Sequence, residues 1–267
     1  MRLSWLSILL GAGMLAAGVP SAAQTPPYAE RISRGRDVTP AYEGWRRNPD
    51  GTFTMYFGYM NRNYEEELDI PIGPDNNVDP GGDRRQPTHF YPRRNRFLFT
   101  VVVPKDWGLE KKVVWSLTSR GKTNVAKGWL QAEWEINDES VMMNTGGGAD
   151  LQNKPPVITG PGPQTVGLQN AVTLTAVARD DGRPNPKRVA VDPEGNPVGG
   201  QGLSLRWIHY RGPAGVTLDP ATTAVGYEKP IESTTTVRFK SAGVYVLRAI
   251  ASDGSLESFH DVTVTVK

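Results

Sequence analysis

Cysteine is absent from this chain of 267 residues. Its absence excludes disulfide frameworks, thiolate metal sites, cysteine nucleophiles and cysteine-linked lipid anchors. Histidine is scarce, with three residues, and neither a His-x-His nor a His-Glu-x-x-His pairing occurs. The Gly-x-Ser-x-Gly turn of serine hydrolases and the glycine-rich phosphate loop are missing as well. We therefore predict no catalytic residues, no metal ligands and no cofactor, and a protein that is not an enzyme.

An excess of charge of one sign is also missing. Lysine and arginine number 30 against 28 aspartate and glutamate residues, which leaves a formal net charge of +2. A chain so nearly neutral lacks the general basic surface with which nucleic-acid-binding proteins neutralise phosphates. We therefore expect no nucleic-acid partner.

Long hydrophobic runs are few, and the longest lies at the start. Leu6 to Gly18 is apolar, but it is shorter than the roughly 18 or more residues of a membrane-spanning helix. Arg2 precedes this run and the small residues Ser21-Ala22-Ala23 follow it, which is typical of a cleaved secretory signal peptide. We expect residues 1–23 to be removed on export to the periplasm or the extracellular space, and no membrane span to remain.

Shifts in composition divide the rest of the chain. Thr25 to Arg36 is polar, and residues 24–38 are predicted to be a mobile leader. Residues 144–154 include Gly146-Gly147-Gly148, which has no side chains to bury and predicts a flexible linker. We therefore predict an N-terminal domain over residues 39–143 and a second domain over residues 155–267.

Both parts show the alternation of apolar and polar side chains that half-buried β-strands require. The clearest strands are Phe97 to Val103 and Val113 to Leu117 in the first part, and Leu203 to Trp207 and Tyr245 to Ala251 in the second. A weaker strand is expected at Ala132 to Ile136. No stretch shows a sustained helical period. The sequence predicts an all-β chain of two tandem β-sandwich domains, each with about seven strands.

The end of the chain carries a recognisable order of residues. Gly243-Val244-Tyr245-Val246-Leu247 forms a Gly-x-Tyr-x-Leu strand, Asp253-Gly254 makes a turn, and an alternating valine strand closes the chain. In this order the segment resembles the closing strands of PKD-type immunoglobulin-like domains. The resemblance covers roughly residues 155–267 and implies an immunoglobulin-like sandwich. In such a sandwich Trp207 and Tyr245 share one core.

Several short motifs recur together in the first domain. They are Asn48-Pro49-Asp50-Gly51, Phe57-Gly58-Tyr59, Ile70-Pro71-Ile72-Gly73 and Gln86-Pro87-Thr88. As a set they resemble an uncharacterised family of secreted bacterial proteins. The resemblance implies a bacterial secreted module and assigns no catalytic residue.

The charge pattern changes sharply within the first domain. From Asn61 to Asp83 there are seven acids and one base, and from Arg84 to Arg96 there are five arginines and no acid. Prolines in the basic segment remove backbone donors, so it is expected along a sheet edge or in a loop. Arginine forks beside aromatic rings suit sulfate, carboxylate or phosphate groups. The candidate surface for an anionic ligand consists of Arg84, Arg85, His89, Tyr91, Arg93, Arg94 and Arg96. The alternative interpretation is that the acidic and basic loops neutralise each other.

Calcium is the one ion for which the pattern leaves an alternative open. Asp75 to Asp79 spaces oxygen atoms as calcium loops do, but Pro80 and Gln86 stand where an EF-hand has glycine and glutamate. Asp180-Asp181 and Asp253 are expected at one end of the second sandwich. The preferred interpretation at both places is that the acids cap turns.

Three classes of function follow. The preferred class is a non-catalytic secreted or cell-envelope protein with a binding or structural role, whose partner is an envelope protein or a cell-surface glycan. Its sharper version is a protein that binds an anionic surface polysaccharide. Exposed tryptophans could stack on the sugar rings, and Trp107 is the one most expected to be exposed. Trp115, Trp134 and Trp207 are expected in the core. The alternatives are a β-sandwich hydrolase with an unrecognised carboxylate site and a subunit that docks through strand edges.

Overall fold

The computed structural model describes residues 32–145, 150–184, 190–191, 197–198, 202–226 and 229–267. The predicted signal peptide, residues 24–31 of the predicted leader and residues 146–149 of the predicted linker lie outside the described residues. We call residues 32–145 the first half, and the described residues from 150 onward the second half. Both halves belong to one unit, Ile32–Lys267.

Antiparallel pairing builds the first half. Its strands are β1 (Val38–Arg47), β2 (Phe53–Asn61), β3 (Leu68–Asp69), β4 (Asn76–Asp79), β5 (His89–Phe90), β6 (Arg93–Val103), β7 (Val113–Ser119) and β8 (Lys122–Gly128). They form a sheet in the order β1-β2-β6, a second sheet in the order β4-β7-β8, and the two-stranded ribbon β3-β5. Because β6 is an edge strand, the arginines at its start lie at a sheet edge, as the prolines before them predicted.

Aromatic rings fill the space between the two three-stranded sheets. Phe57 of β2 and Phe99 of β6 stack with their centroids 5.3 Å apart. Trp115 of β7 meets Phe99 edge-on at 4.8 Å and is fully buried. Since these rings come from opposite sheets, the first half is a β-sandwich around one core.

The second half is a larger sandwich. Its strands are β9 (Val157–Thr159), β10 (Gln164–Val166), β11 (Val172–Arg179), β12 (Ala190–Val191), β13 (Pro197–Val198), β14 (Leu203–Arg211), β15 (Val216–Asp219), β16 (Ala224–Gly226), β17 (Ile231–Phe239), β18 (Gly243–Ser252) and β19 (Glu257–Val266). One sheet has the order β10-β19-β18-β14-β16, the other has the order β15-β17-β11-β9, and β12 pairs with β13. The predicted fold class, all-β with two tandem sandwiches and an immunoglobulin-like second one, is confirmed.

The second core contains the two aromatic residues that the sequence placed there. Trp207 of β14 is 6% exposed, and Tyr245 of β18 is fully buried in the same cluster. The indole Nε1 of Trp207 donates a hydrogen bond of 3.1 Å to the carbonyl of Ser233. Ser233 lies on β17 in the opposite sheet, so this bond ties the two sheets together.

Two short helices follow β8, where the sequence predicted a strand. Ala132–Trp134 is a 3-10 helix, and α1 (Asp138–Thr145) comes next. The strand prediction at residues 132–136 was therefore wrong, and Trp134, expected in the core, is 40% exposed. The side chain of Asn137 accepts a hydrogen bond of 2.8 Å from the Ser140 amide, which caps the first turn of α1.

Helix α1 joins the two halves. Val141 and Met142 are buried and form a small cluster with Leu256 of the second half. The Thr145 hydroxyl donates a 2.9 Å hydrogen bond to the carbonyl of Ser255. The helix extends through Asn144 and Thr145, which are the first two residues of the predicted linker. Among the described residues, no helix is long and apolar enough to cross a membrane.

Candidate functional site

A β-bulge in β14 determines how the two halves meet. In the pairing of β14 with β18, His209 lies opposite Leu247 and Arg211 lies opposite Val246, so Tyr210 is an extra residue. The side chain of Tyr210 is 2% exposed and belongs to the core of the first half. Its hydroxyl donates a 2.6 Å hydrogen bond to the carbonyl of Arg85. The bulge therefore directs one side chain of the second half into the first.

The structure divides six residues of the predicted anionic-ligand surface into three separate groups, and Arg93 stands apart from them. Arg84 and Arg85 lie in the loop before β5, where Arg84 Nε donates to the Pro80 carbonyl at 2.9 Å and Arg85 is exposed. Arg93 stacks its guanidinium over the ring of Tyr64 at 3.9 Å. The second group is Arg94 and Arg96, which line a cleft. The third is His89 and Tyr91, which join a cluster around His209.

Among the described residues, the acidic and basic runs neutralise each other only at His89, which pairs with Glu67 and Asp69. Asp83 pairs with Arg211 of the second half, Glu66 pairs with Arg120, and Arg94 pairs with Glu43. Among the described residues, no acid of residues 61–83 forms an ion pair with an arginine of residues 84–96. The arginines of the basic run therefore form no ion pair with the acidic run, although Arg84 bonds to the Pro80 carbonyl and Arg93 stacks on Tyr64.

A cleft of about 550 Å³ lies where β6, α1 and the hairpin of β18 and β19 come together. Four arginines line it: Arg46, Arg94, Arg96 and Arg206. Tyr56, Phe97 and Phe259 supply aromatic rings to its wall. Phe97 adopts a φ of 51°, which is uncommon for a bulky residue. It lies where the ladder between β2 and β6 is irregular, so the backbone distortion directs residues into the cleft.

The lining of the cleft carries more positive than negative charge. Arg46 is held by Asp138 at 2.6 Å and Arg94 by Glu43 at 2.6 Å. Arg96 donates a hydrogen bond to the carbonyl of Asn144 at the end of α1. Neither Arg96 nor Arg206 forms an ion pair with any described residue, so two guanidinium groups keep their charge available for a ligand.

One carboxyl group of the cleft has a shifted pKa. Glu257 begins β19 and lines the cleft, and its side chain is reached by water. Burial among the surrounding atoms raises the pKa of Glu257, although the charge of Arg206 opposes this. Asp138, the other carboxylate of the cleft wall, is bound to Arg46.

The histidine cluster lies at the meeting of the ribbon β3-β5 with β14. His89 and Asp69 are cross-strand partners in that ribbon. His89 Nδ1 lies 2.8 Å from Asp69 Oδ1, and His89 Nε2 lies 2.9 Å from Glu67 Oε2. His209 comes from the second half, and its ring centroid is 4.9 Å from that of His89. Tyr91 accepts a 2.9 Å hydrogen bond from the His209 amide.

The two histidines hold different charges. Burial would lower the pKa of His89, but its hydrogen bonds to Asp69 and Glu67 and their charges outweigh burial and raise this pKa to about 9. Burial lowers the pKa of His209 to about 4, and the neighbouring charge of His89 adds to the effect. At neutral pH His89 is therefore an imidazolium and His209 a neutral imidazole with a free electron pair.

The sequence did not predict that His89 and His209 lie next to each other. The alternation of β14 placed His209 on the same side as Trp207, and the interpretation was a structural histidine. His89 lies 120 positions earlier in another sheet system, so no spacing rule connects the two residues. The one sequence signal was Glu67 and Asp69, two acids two positions apart, ahead of a histidine in a neighbouring strand.

The acids expected at the end of the second sandwich do lie near each other. The Asp253 carboxylate accepts hydrogen bonds from the amides of Ser255 and Leu256 at 2.6 and 2.7 Å and from the Asn153 side chain at 3.0 Å. Burial raises the pKa of Asp180, and the charge of Asp253 is a further cause. The carboxylate of Asp180 accepts a hydrogen bond from Gly182 N at 2.9 Å, as expected of a residue that caps a turn.

Comparisons with known proteins add little beyond the fold. No family model matches the chain and no curated protein matches it, so the resemblance of the first domain to a secreted bacterial family has no support from a match. Among the solved structures that match, the three described next each cover 86% of the chain, at TM-scores below 0.3.

The first of these structures is the N-terminal eight Ig domains of Down Syndrome Cell Adhesion Molecule, with 11% identity and a TM-score of 0.27 over 86% of this chain. This chain spans 27% of that protein chain. The fibronectin(III)-like modules of Clostridium thermocellum CbhA give 12% identity and a TM-score of 0.21, over 86% of this chain and 94% of theirs. Domains 4 and 5 of the S-layer protein SbsC give 13% identity and a TM-score of 0.24, over 86% of this chain and 98% of theirs.

Proposed function

We propose that this protein is a non-catalytic, exported β-sandwich protein that binds an anionic polysaccharide of the cell surface in the cleft. The observation that carries the proposal is the pair Arg96 and Arg206, two guanidinium groups without ion pairs among the described residues of one cleft. A guanidinium fork matches the two oxygens of a carboxylate or sulfate. The apolar run and small residues within residues 1–23 support export.

The aromatic side chains of the cleft support a sugar rather than a small free anion. Tyr56 and Phe97 contact each other at 6.2 Å, edge to face, and Phe259 lies on the opposite strand pair. Aromatic rings bury the apolar faces of flat ligands while charged groups fix their orientation. A chain of uronic acids or sulfated sugars presents both kinds of surface.

The experiment measures binding of heparin-derived and polyuronate oligosaccharides by titration calorimetry. We expect the double variant Arg96→Ser/Arg206→Ser to bind roughly 100-fold or more weakly, because each of the two charge-assisted bidentate contacts contributes on the order of 1.5–3 kcal/mol. The matched control is Arg84→Ser/Arg85→Ser, which removes the same charge outside the cleft. We expect the control to stay close to wild type.

Equal affinity of the wild type and the cleft variant contradicts the proposal. An equal loss in the cleft variant and the control also contradicts it, because that result indicates a diffuse attraction by net charge. Binding should weaken with added salt, since exposed charges are screened over about 8 Å at physiological ionic strength.

A hydrolase is the second candidate, and the two carboxylates of the cleft favour it. Asp138, which is ion-paired with Arg46, and the exposed Glu257 both line the cleft, and glycosidases act through a pair of carboxyl groups. Release of reducing ends from the same oligosaccharides, abolished in Glu257→Gln, would support this candidate over the non-catalytic one.

A further inference from the structure

We infer that Asp69, His89 and His209 form a binding site for one divalent transition-metal ion of the zinc class. Their ligand atoms, one carboxylate oxygen and two ring nitrogens, all lie within 4.8 Å of one another. The site is separate from the cleft and does not depend on the proposed function.

The backbone positions these three residues from two directions. Asp69 and His89 face each other across the ribbon β3-β5, so both side chains lie on one face. His209 is the last residue of β14 before the bulge, and its amide is held by the Tyr91 hydroxyl at 2.9 Å. Since Tyr91 follows β5, the same hydrogen bond fixes His209 against the ribbon that carries the other two ligands.

The unpaired nitrogen of His209 points to a missing partner. His209 is 3% exposed, and its Nε2 atom is buried without a hydrogen-bond partner among the described residues. Buried polar atoms in folded proteins almost always have a partner. A metal ion that also contacts Asp69 and His89 supplies one.

Glu67 gives the site an outer carboxylate. In the structure each ring nitrogen of His89 faces a carboxylate oxygen, Asp69 at Nδ1 and Glu67 at Nε2. An ion that replaces the proton at Nδ1 leaves Nε2–H donating to Glu67. Metal-bound histidines usually donate their second N–H in this way, which fixes the orientation of the ring.

The ligand set selects the class of metal. Two imidazoles and one carboxylate suit zinc, cobalt, nickel and copper, whereas calcium and magnesium prefer oxygen ligands alone. With bonds of about 2.0–2.1 Å, ligand atoms of a tetrahedral ion lie about 3.3 Å apart. The three groups therefore need to close by at most about 1.5 Å, and rotation of an exposed Asp69 side chain can provide much of this.

The test uses the purified protein without a histidine tag and titrates it with Co²⁺ and Zn²⁺. We expect one ion per chain, with a visible Co²⁺ spectrum, and at least 100-fold weaker binding in His209→Gln and in His89→Gln. The matched control is His260→Gln, because His260 is the third histidine of the chain and contacts the Pro161 carbonyl at 3.0 Å instead. We expect it to bind as the wild type does, and Mg²⁺ not to compete.

Two further measurements keep the result interpretable if a histidine variant is poorly folded. Glu67→Gln leaves all three ligands in place, and we expect roughly 10-fold weaker binding from the loss of the outer carboxylate. Zn²⁺ should raise the melting temperature of the wild type, because the ion joins ligands from both halves, and should not raise that of His209→Gln. No binding to the wild type, or equal binding in His209→Gln and wild type, overturns the inference.

Discussion

At the scale of single residues, Trp207 links the two sheets of the second sandwich. It is 6% exposed, packs in the same core as Tyr245 and bonds to Ser233 of the opposite sheet. We expect Trp207→Ala to lower the free energy of unfolding by about 3–5 kcal/mol, because the change leaves a cavity and an unpaired carbonyl. Urea denaturation measures this difference.

The control is Val244→Ala on β18, one residue before Tyr245, whose side chain is 59% exposed. We expect its cost to stay below about 1 kcal/mol, the usual size of surface effects. A similarly small cost for Trp207→Ala would mean that the indole does not hold the sheets together.

Individual core residues were readable from sequence where alternation was regular. Trp115 and Trp207 are buried as predicted, because each lies on the apolar face of a strand that pairs on both sides. The prediction that Trp134 is buried was wrong, because its segment forms a 3-10 helix, to which the two-residue period of a strand does not apply. Trp107, expected to be exposed, packs partly against the first core.

At the scale of elements, the contact between the loop before β5 and the bulge of β14 should depend on pH. Asp83 binds the Arg211 guanidinium through both oxygens at 2.9 and 2.8 Å. This hydrogen bonding to Arg211, with smaller contributions from the Arg85 amide and nearby charges, outweighs burial and lowers the pKa of Asp83 to about 2.

A carboxyl group whose pKa is lower in the folded state stabilises the fold at neutral pH, and this contribution is lost as pH falls from about 4 through about 2. Asp83 is 52% exposed, so the contribution is of surface size. We expect Asp83→Asn to lower stability by about 0.5–1 kcal/mol at pH 7. The difference from wild type should disappear near pH 2 in urea denaturation. A gap of unchanged size at both pH values contradicts the assignment, and Asp106→Asn in an exposed turn serves as the control.

The regular strands could be predicted from the sequence, whereas helix α1 could not. β6, β7, β14 and β18 each contain the alternating segment that predicted them, because one face of each strand packs into a sandwich core. Helix α1 has only Val141 and Met142 to bury, which is too few for a helical stripe. Its position depends on Leu256 of another part of the chain, and no local pattern encodes that contact.

At the scale of the whole molecule, the two cores depend on each other unequally. Every buried residue of the second core comes from the second half. The first core includes Tyr210 and, at its margin, Val246 of the second half. The sequence predicted two domains from the glycine run, and separate folding stays a prediction.

We expect the fragment Asn153–Lys267 to unfold in one cooperative thermal transition, because it contains its whole core. The reciprocal fragment, Ile32–Thr145, lacks Tyr210 and should melt at a lower temperature than the full chain, or fail to fold. Circular dichroism against temperature measures both. A molten or insoluble second fragment contradicts the two-domain prediction.

What the sequence could not provide at this scale is the docking of the halves. The contacts that make it, such as Tyr210 with Arg85 and His209 with Tyr91, are separated by more than 100 positions. They depend on a single bulge that inserts one residue in an otherwise regular ladder. Alternation predicts the ladder, but the position of a bulge depends on what packs against it.

Arg248 shows what this docking means for protein engineering. It is 6% exposed, binds Asp261 through two nitrogens at 2.6 and 2.8 Å, and lies 3.6 Å above the ring of Tyr210. It also donates a hydrogen bond to the Leu98 carbonyl of the first half. A graft of the second half onto a foreign neighbour would carry an aromatic ring and a partly unsatisfied guanidinium to its surface. The second half can therefore be fused to another protein only if that protein supplies an equivalent of the Leu98 carbonyl and a pocket for Tyr210. The alternative is to replace Arg248 and Tyr210 with residues suited to an exposed surface.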